Sequence, residues 1–264
     1  MTSAVVSLTV HDAVATVALT AATRRNALTA EMVTGIDAAF VAAEAHRDVR
    51  VVVVTGSGRA FCAGADLKTL ERSAQNQFAS VKAVYAGFLR VLESPLPTIA
   101  AVNGSAVGAG LNLALACDVR IAATTARFDT RFGALRLHPG GGHTWLLQHA
   151  VGYETAVRAI LFGEVWDATR AHELGLVSEV TEPENLLPTA IALGNRLAGM
   201  DKTFACRLIA TLRKARGPVS HSEVLLLESE NQEWSVGEPA FVENVRALRA
   251  AVSGRSEALG PTAG

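Results

Sequence analysis

The stretch that decides the fold is Ala100–Ala122, which reads AAVNGSAVGAGLNLALACDVRIA. An apolar strand is predicted over residues 97–102, and Asn103-Gly104 is typical of a turn. A loop of small residues, 105–110, follows, and a helix is predicted over 109–117. The stretch therefore forms a strand, a loop of small residues and the start of a helix.

The small residues of this loop indicate a place where a ligand contacts the backbone. Gly108, Ala109 and Gly110 carry little or no side chain, so a bound molecule can approach their backbone closely. They stand at a helix start, where the first N–H groups lack partners within the helix. Such a position stabilises a developing negative charge.

A second stretch repeats this pattern. Residues 49–55 are nearly continuously apolar, as expected of a strand buried on both faces. Residues 61–67, FCAGADL, form another loop of small residues that leads towards a helix. Two such units side by side would each aim one backbone N–H at a shared point. The alternation of strands and helices predicts an α/β protein.

The flanking segments follow ordinary patterns. Val5–Leu19 reads as a β-hairpin. Thr29 is a good N-cap for a helix over 30–45. Helices are predicted further along the chain over 69–94, 143–151, 153–162, 184–199, 201–216, 220–235 and 239–252. The polar tail 253–264 is predicted to be disordered.

Composition excludes several classes of protein. The 264 residues carry a formal net charge of −1, which gives no electrostatic reason to expect nucleic acid as a partner. Because no apolar stretch approaches the ~18 residues that span a bilayer, we expect no membrane insertion. Three widely spaced cysteines and the absence of a signal-peptide pattern predict reduced thiols in a cytoplasmic protein.

Five motifs follow one another along the chain. They are Arg24–Leu28, Gly58–Lys68, Pro97–Gly104 with Gly108–Gly110 and Cys117-Asp118, Pro139–Gly142, and Ala171–Val177. Together they resemble the motifs of the crotonase (enoyl-CoA hydratase/isomerase) superfamily, and the likeness covers about residues 5–250. The resemblance implies a crotonase-like spiral of ββα units with a C-terminal helical trimerisation region. The implied domains are an acyl-CoA-binding core over 1–195, a helical region over 196–253 and a tail over 254–264. A homotrimer or hexamer is implied as well.

The resemblance also implies the ligand and its contacts. The substrate would be an acyl-CoA or enoyl-CoA, with coenzyme A as part of the substrate, no permanently bound cofactor and no metal. By motif position, the backbone N–H groups of Ala65 and Ala109 would form the oxyanion hole for the thioester carbonyl. The residues implied to hold CoA are Arg25, Ala27, Ala63, Asp66, Leu67 and Lys68. Arg25 and Lys68 would be the phosphate partners.

The sequence departs from the family at both positions where hydratases carry a catalytic glutamate. The first, four residues after Gly108, is Asn112, and the second, seven residues before Pro139, is Phe132. An amide does not take a proton near neutral pH, and a phenyl ring neither takes a proton nor orients water. The remaining acid–base candidates are Asn112, Asp129, His138 and His143.

Three of these candidates also have a structural interpretation, whereas His138 borders the expected acyl pocket and stays open between the two. In the structural interpretation, Asp129 would form a surface ion pair with Arg131, His143 would face solvent or cap its helix, and Asn112 would be a hydrogen-bonded packing residue. Two functions therefore stay open. One is an enzyme of the enoyl-CoA hydratase/isomerase type that stabilises a thioester enolate. The other is a non-catalytic acyl-CoA carrier, and a divergent CoA isomerase or hydrolase is a further alternative.

Overall fold

The computed structural model describes residues 5–66, 71 and 78–258. The chain divides into two compact units, Met1–Cys206 and Arg207–Gly264. The domain boundaries expected from the family resemblance stay a prediction. Of the predicted tail, residues 259–264 lie outside the described part, and the last helix continues to Ala258.

The first unit is built on two sheets whose strands alternate along the chain. The six-stranded sheet has the order β1-β2-β3-β5-β7-β10, and the four-stranded sheet has the order β4-β6-β8-β9. The strands are β1 (Val6–His11), β2 (Val14–Leu19), β3 (Val51–Gly56), β4 (Ala60–Cys62), β5 (Thr98–Val102), β6 (Ser105–Val107), β7 (Val119–Ala123), β8 (Arg127–Asp129), β9 (Trp166–Asp167) and β10 (Glu179–Thr181).

Strand pairing explains the apolar runs in the sequence. The hairpin of β1 and β2 is antiparallel, whereas β2, β3, β5, β7 and β10 pair in parallel. The residues of β5 are all buried, and so are those of β3 apart from Gly56. Central parallel strands are covered on both faces, which is why they read as continuous apolar segments.

Three pairs of consecutive strands, β3–β4, β5–β6 and β7–β8, each cross from the large sheet to the small one. This is the repeated ββα arrangement, and it confirms the α/β prediction. Two expectations are wrong in detail, because residues 105–107 form the strand β6 and residues 61–62 belong to the strand β4, where loops were predicted. Each strand has three residues, too few to show a period in the sequence, and β6 exists through its parallel pairing with β4 and β8. The short β9 was not predicted for the same reason.

The helices lie close to their predicted positions. They are α1 (Ala30–Ala45), α2 (Phe78–Leu92), α3 (Ala109–Ala116), α4 (His143–Val151), α5 (Tyr153–Ile160), α6 (Ala168–Glu173), α7 (Pro183–Asn195), α8 (Lys202–Ala215), α9 (His221–Val236) and α10 (Pro239–Ala258). The first helix begins as expected, because the Thr29 side chain accepts a hydrogen bond from the Met32 N–H at 3.2 Å. The start of the predicted helix 69–94 lies largely outside the described residues.

Side chains of the Asn-Gly turn and of Asp118 hold the deciding stretch in place. The Asn103 carboxamide accepts from the Gly56 N–H at 3.0 Å and donates to the Gly58 carbonyl at 3.0 Å. The Asp118 carboxylate accepts from both the N–H and the hydroxyl of Thr98, at 2.8 Å each. These bonds join the ends of β5 to the neighbouring strands and so fix the loop that leads into α3.

The second unit is helical. No residue of α9 is buried, and apolar side chains such as Leu226 and Leu248 are about two-thirds exposed. Within the described residues, no helix is long and apolar enough to cross a membrane.

Candidate active site

A cavity of about 330 Å³ lies where the ends of β4 and β6 meet α2, α3 and the segment 130–140. Its lining residues are Ala63, Gly64, Ala65, Val84, Tyr85, Val107, Gly108, Ala109, Asn112, Thr130, Arg131, Phe132, Leu135, Leu137, His138, Pro139 and Gly140. Most of these side chains are apolar. Both predicted oxyanion-hole residues, Ala65 and Ala109, are among them.

Ala65 is oriented by a short parallel bridge. The Leu28 N–H donates to the Gly64 carbonyl at 2.8 Å, and Leu28 pairs with Ala65 in a parallel bridge. In a parallel bridge of this kind, Leu28 uses its backbone groups to bond the neighbours of Ala65. The N–H of Ala65 therefore points away from Leu28. The backbone of Gly64, immediately before Ala65, has φ +87°, a conformation that favours glycine.

Ala109 is the first residue of α3. Gly108 precedes the helix with φ +53° and ψ −117°, and its N–H donates to the Asp129 carbonyl at 2.9 Å. A Cβ on Gly110 would overlap the carbonyl of Cys62, so the start of α3 packs directly against β4. This contact brings the two strand–loop–helix units together.

The two backbone donors lie at the same part of the cavity. A Cβ built on Gly64 would be 3.3 Å from the Ala109 nitrogen, so the backbone beside Ala65 adjoins the N-terminus of α3. Among the hydrogen bonds of the described residues, neither Ala65 N–H nor Ala109 N–H has an acceptor. The Ala109 N–H also stands at the positive end of the α3 helix dipole, which favours an acceptor atom or a negative charge in front of it.

The loop predicted to hold CoA is attached to β4 by a buried asparagine. Asn26 has φ +55°, and its amide donates to the carbonyls of Ala60 at 2.8 Å and Ser57 at 3.0 Å. The Ala63 N–H donates to the Arg25 carbonyl at 2.9 Å. Arg25 therefore lies beside the cavity wall with its side chain exposed.

The other predicted CoA residues differ in exposure. Ala27 is buried and Asp66 is half-buried. Leu67 and Lys68 lie outside the described residues.

Asn112, at the first glutamate position, is 1% exposed and makes two directed hydrogen bonds. Its Nδ2 donates to the Gly140 carbonyl at 3.2 Å, and its Oδ1 lies 2.6 Å from His143 Nδ1. Because a carbonyl only accepts, the amide NH₂ must face Gly140 and Oδ1 must face His143. His143 Nδ1 is therefore protonated, and its Nε2 carries the lone pair.

His143 is 1% exposed, so the alternative that it faces solvent is wrong. The side chain packs inward because Asn112 and Phe132 both contact it, and the Phe132 ring centroid is 4.8 Å from that of the imidazole. Burial lowers the pKa of His143 from 6.5 to about 4, so the imidazole is neutral at pH 7. Its Nε2 is buried without a partner among the described residues.

Of the two remaining acid–base candidates, His138 lines the cavity and Asp129 does not. His138 is exposed and lines the cavity, and its Nδ1 lies 2.8 Å from the Pro139 carbonyl. That nitrogen must donate, which leaves Nε2 free to accept. Asp129 is not a lining residue. It accepts from the Arg131 N–H at 2.8 Å and forms an ion pair with the Arg131 guanidinium.

Three polar lining residues were not predicted as site residues, namely Thr130, Tyr85 and Arg131, the ion-pair partner of Asp129. The Thr130 hydroxyl donates to the Ala159 carbonyl at 3.0 Å. Tyr85 is half-buried on α2, and burial raises the pKa of its phenol. In the sequence, Tyr85 reads only as one of several apolar-face positions of a helix, because no pattern distinguishes a cavity-facing residue from a core-facing one.

The three cysteines form no disulfide among the described residues. Burial raises the pKa of Cys62 to about 12, so its thiol stays protonated. Among the described residues, no group of His, Cys, Asp or Glu is arranged to hold a metal ion.

Comparison with known proteins agrees with this architecture. The family model described as Enoyl-CoA hydratase/isomerase matches residues 9–245. The chain belongs to this family. The probable enoyl-CoA hydratase EchA14 of Mycobacterium tuberculosis is 44% identical over 250 residues, covering 92% of this chain and 97% of the relative.

Solved structures of the family share the fold. An enoyl-CoA hydratase subunit of Geobacillus kaustophilus superposes with a TM-score of 0.87 at 30% identity, covering 94% of this chain and 95% of that one. A Thermobifida fusca protein assigned as an enoyl-CoA hydratase, solved in complex with acetoacetyl-CoA, has a TM-score of 0.79 at 29% identity. The superposition covers 88% of this chain and 95% of the Thermobifida fusca chain. The family thus includes proteins that bind CoA thioesters.

Proposed function

We propose that this protein binds an acyl-CoA or enoyl-CoA and polarises its thioester carbonyl with the backbone N–H groups of Ala65 and Ala109. The observation that carries the proposal is the pair of donors without acceptors at one part of an apolar cavity. Removal of a proton from the carbon beside the thioester moves charge onto the carbonyl oxygen. Two preorganised donors stabilise that charge by several kcal/mol.

The proton is transferred by an imidazole in this proposal. His138 lines the cavity and offers Nε2 as an acceptor, whereas Asp129 is paired with Arg131, and the Asn112 amide bonds Gly140 and His143 and takes no proton near neutral pH. His138 would remove a proton from the carbon next to the thioester and return one to the resulting enolate. We infer a proton-transfer or isomerisation reaction in preference to hydration by two glutamates.

Coenzyme A would lie along the loop that carries Arg25 and Ala27 and the segment from Ala63 to Asp66, with Leu67 and Lys68 beyond. The hydrogen bond between Ala63 and Arg25 supports this, since it places the backbone of Arg25, whose side chain is exposed, beside the cavity-lining Ala63. A guanidinium is well suited to a CoA phosphate. The acyl group would occupy the apolar part of the cavity.

Exchange of substrate hydrogen for deuterium tests the catalytic proposal without requiring the natural substrate. Butyryl-CoA incubated in D₂O should gain deuterium beside the thioester, as followed by mass spectrometry. His138→Gln should reduce the exchange rate about 100-fold while butyryl-CoA still binds. His149→Gln serves as the control, because His149 is exposed and stacks on Trp145 away from the cavity lining.

The second candidate function is a non-catalytic acyl-CoA carrier. It is favoured by the replacement of both carboxylate positions, since Asn112 is tied to His143 and Phe132 packs against the same ring. Tight binding of butyryl-CoA by calorimetry, with neither deuterium exchange nor hydration of crotonyl-CoA, would support the carrier. Exchange that depends on His138 would exclude it.

A homo-oligomer, a trimer or a hexamer, is also proposed. The helical unit supports this, because large apolar side chains are exposed along α9 and α10. They include Leu225, Leu226, Val236, Phe241, Val242 and Leu248. Sedimentation equilibrium measures the assembly directly.

A further inference from the structure

Five of the described lining residues carry polar side chains, and three of those are already committed. Asn112 bonds Gly140 and His143, the Thr130 hydroxyl bonds the Ala159 carbonyl, and Arg131 pairs with Asp129. Each of these three side chains has at least one bond within the protein, and Arg131 uses one guanidinium nitrogen for its ion pair. The other two are His138, of which only Nδ1 is bonded, and Tyr85, which has no bond among the described residues.

These two residues offer complementary groups. Because His138 Nδ1 donates to the Pro139 carbonyl, His138 presents an acceptor at Nε2. The Tyr85 hydroxyl has no hydrogen-bond partner among the described residues, so it presents an O–H donor to the cavity. Burial raises its pKa, which keeps the phenol protonated through the neutral range.

The glycine run after Pro139 provides the space that Tyr85 occupies. A Cβ on Gly140 would overlap the Tyr85 hydroxyl, and one on Gly141 would overlap the ring of Phe88. Tyr85 and Phe88 also contact each other, with ring centroids 5.7 Å apart. The phenol is thus held by close packing on two sides while its hydroxyl stays uncommitted.

This packing also locates the hydroxyl relative to the oxyanion donors. Tyr85 lies against Gly140, whose carbonyl is bonded by Asn112. Asn112 follows Ala109 by three residues on α3, a rise of about 4.5 Å along the helix axis. A thioester carbonyl at Ala109 would therefore have the first carbons of its acyl chain near the phenol.

We propose that the Tyr85 hydroxyl is a specificity-determining donor, which binds an oxygen on the acyl chain close to the thioester. The proposal rests on the function inferred above, since it requires the thioester to be bound at Ala65 and Ala109. The remainder of the lining is largely apolar, and a hydroxyl that has no other partner among the described residues favours acyl groups that satisfy it.

Comparison of two ligands tests this role. The affinities of 3-hydroxybutyryl-CoA and butyryl-CoA are measured by calorimetry for the wild type, Tyr85→Phe and Tyr153→Phe. The wild type should bind the hydroxylated ligand about five- to tenfold more tightly, as one hydrogen bond contributes. Tyr85→Phe should bind both ligands equally, because the ring is kept and only the hydroxyl is lost. Tyr153 is 71% exposed, so Tyr153→Phe should keep the wild-type preference.

The outcomes separate this inference from the proposed function. Failure of the wild type to bind butyryl-CoA would overturn the proposed function and this inference with it. Binding of both ligands with an unchanged preference in Tyr85→Phe would overturn only the role of Tyr85.

A spectroscopic measurement detects the bond directly. The chain contains two tyrosines, so a ¹³Cζ-tyrosine label gives two signals that the two variants assign. The Tyr85 signal should shift more with 3-hydroxybutyryl-CoA than with butyryl-CoA, while that of Tyr153 stays fixed. Equal shifts at Tyr85 for the two bound ligands would contradict the proposal.

Discussion

The Oδ1 atom of Asn112 accepts a hydrogen bond from Nδ1 of His143 across 2.6 Å. Thirty-one positions separate the two residues in sequence, and both are 1% exposed. The Gly140 carbonyl completes the cluster by accepting from Asn112 Nδ2 at 3.2 Å and from the His143 N–H at 3.3 Å. The position at which the family resemblance implies a catalytic carboxylate here joins α3 to α4 and to the cavity wall.

Asn112→Ala should destabilise the protein by about 1–3 kcal/mol. The substitution leaves the His143 Nδ1–H without its buried acceptor and removes one of the two donors to the Gly140 carbonyl. Urea unfolding followed by circular dichroism measures the free energy. Asn185→Ala, at an exposed position on α7, is the matched control and should change stability by less than about 0.5 kcal/mol. Equal changes in the free energy of unfolding for the two substitutions would mean that the hydrogen-bonded cluster contributes nothing to stability.

The pH dependence of stability should carry a contribution from His143. Because burial lowers its pKa from 6.5 to about 4, the folded state disfavours the protonated form. The contribution is fully present above pH 6.5 and is lost progressively as the pH falls to about 4, by a total of about 3 kcal/mol. The free energy of unfolding of wild type and of His143→Gln, measured across this pH range, isolates the contribution of His143. The variant should lack this loss of stability at low pH. Parallel curves for the two proteins would show that His143 titrates normally in the folded state.

Ala109→Pro should remove one oxyanion-hole donor while keeping the helix. Ala109 is the first residue of α3, a position where proline fits because its N–H has no partner within the helix. Deuterium exchange into butyryl-CoA should fall about 100- to 1000-fold. Ala30→Pro places proline at the first residue of α1, outside the cavity, and should leave exchange unchanged. Full exchange by Ala109→Pro would falsify the assignment of this N–H to the carbonyl.

Arg25→Ala should weaken binding of butyryl-CoA about five- to tenfold and leave binding of butyryl-pantetheine unchanged. The second ligand has the same thioester but lacks the CoA phosphates that the guanidinium is proposed to bind. Arg24→Ala is the control, because Arg24 pairs with Glu31 on the surface. Calorimetry in low salt measures all three proteins. Equal losses for both ligands would place Arg25 at the acyl portion or in the fold itself.

The sequence predicts the backbone of the site better than its side-chain chemistry. The boundaries of α1 and the start of α3 agree with the structure, because capping residues and small residues act locally. The strand β6 was predicted as a loop, since its three residues are specified by pairing with β4 and β8. Tyr85 was recognised only as part of a helix face, because its hydroxyl meets the cavity through packing against Gly140.

By itself, the sequence determined the family and the two strand–loop–helix units, and it predicted through the family resemblance that Asn112 and Phe132 stand where hydratases carry glutamates. These are properties of residue type and spacing along the chain. Only the tertiary structure decided that His143 is buried against Asn112 and Phe132 and that Tyr85 and His138 keep uncommitted polar atoms. The reason is physical: solvent exposure, the tautomer of an imidazole and the partner of a hydroxyl depend on atoms brought together from distant positions in the chain.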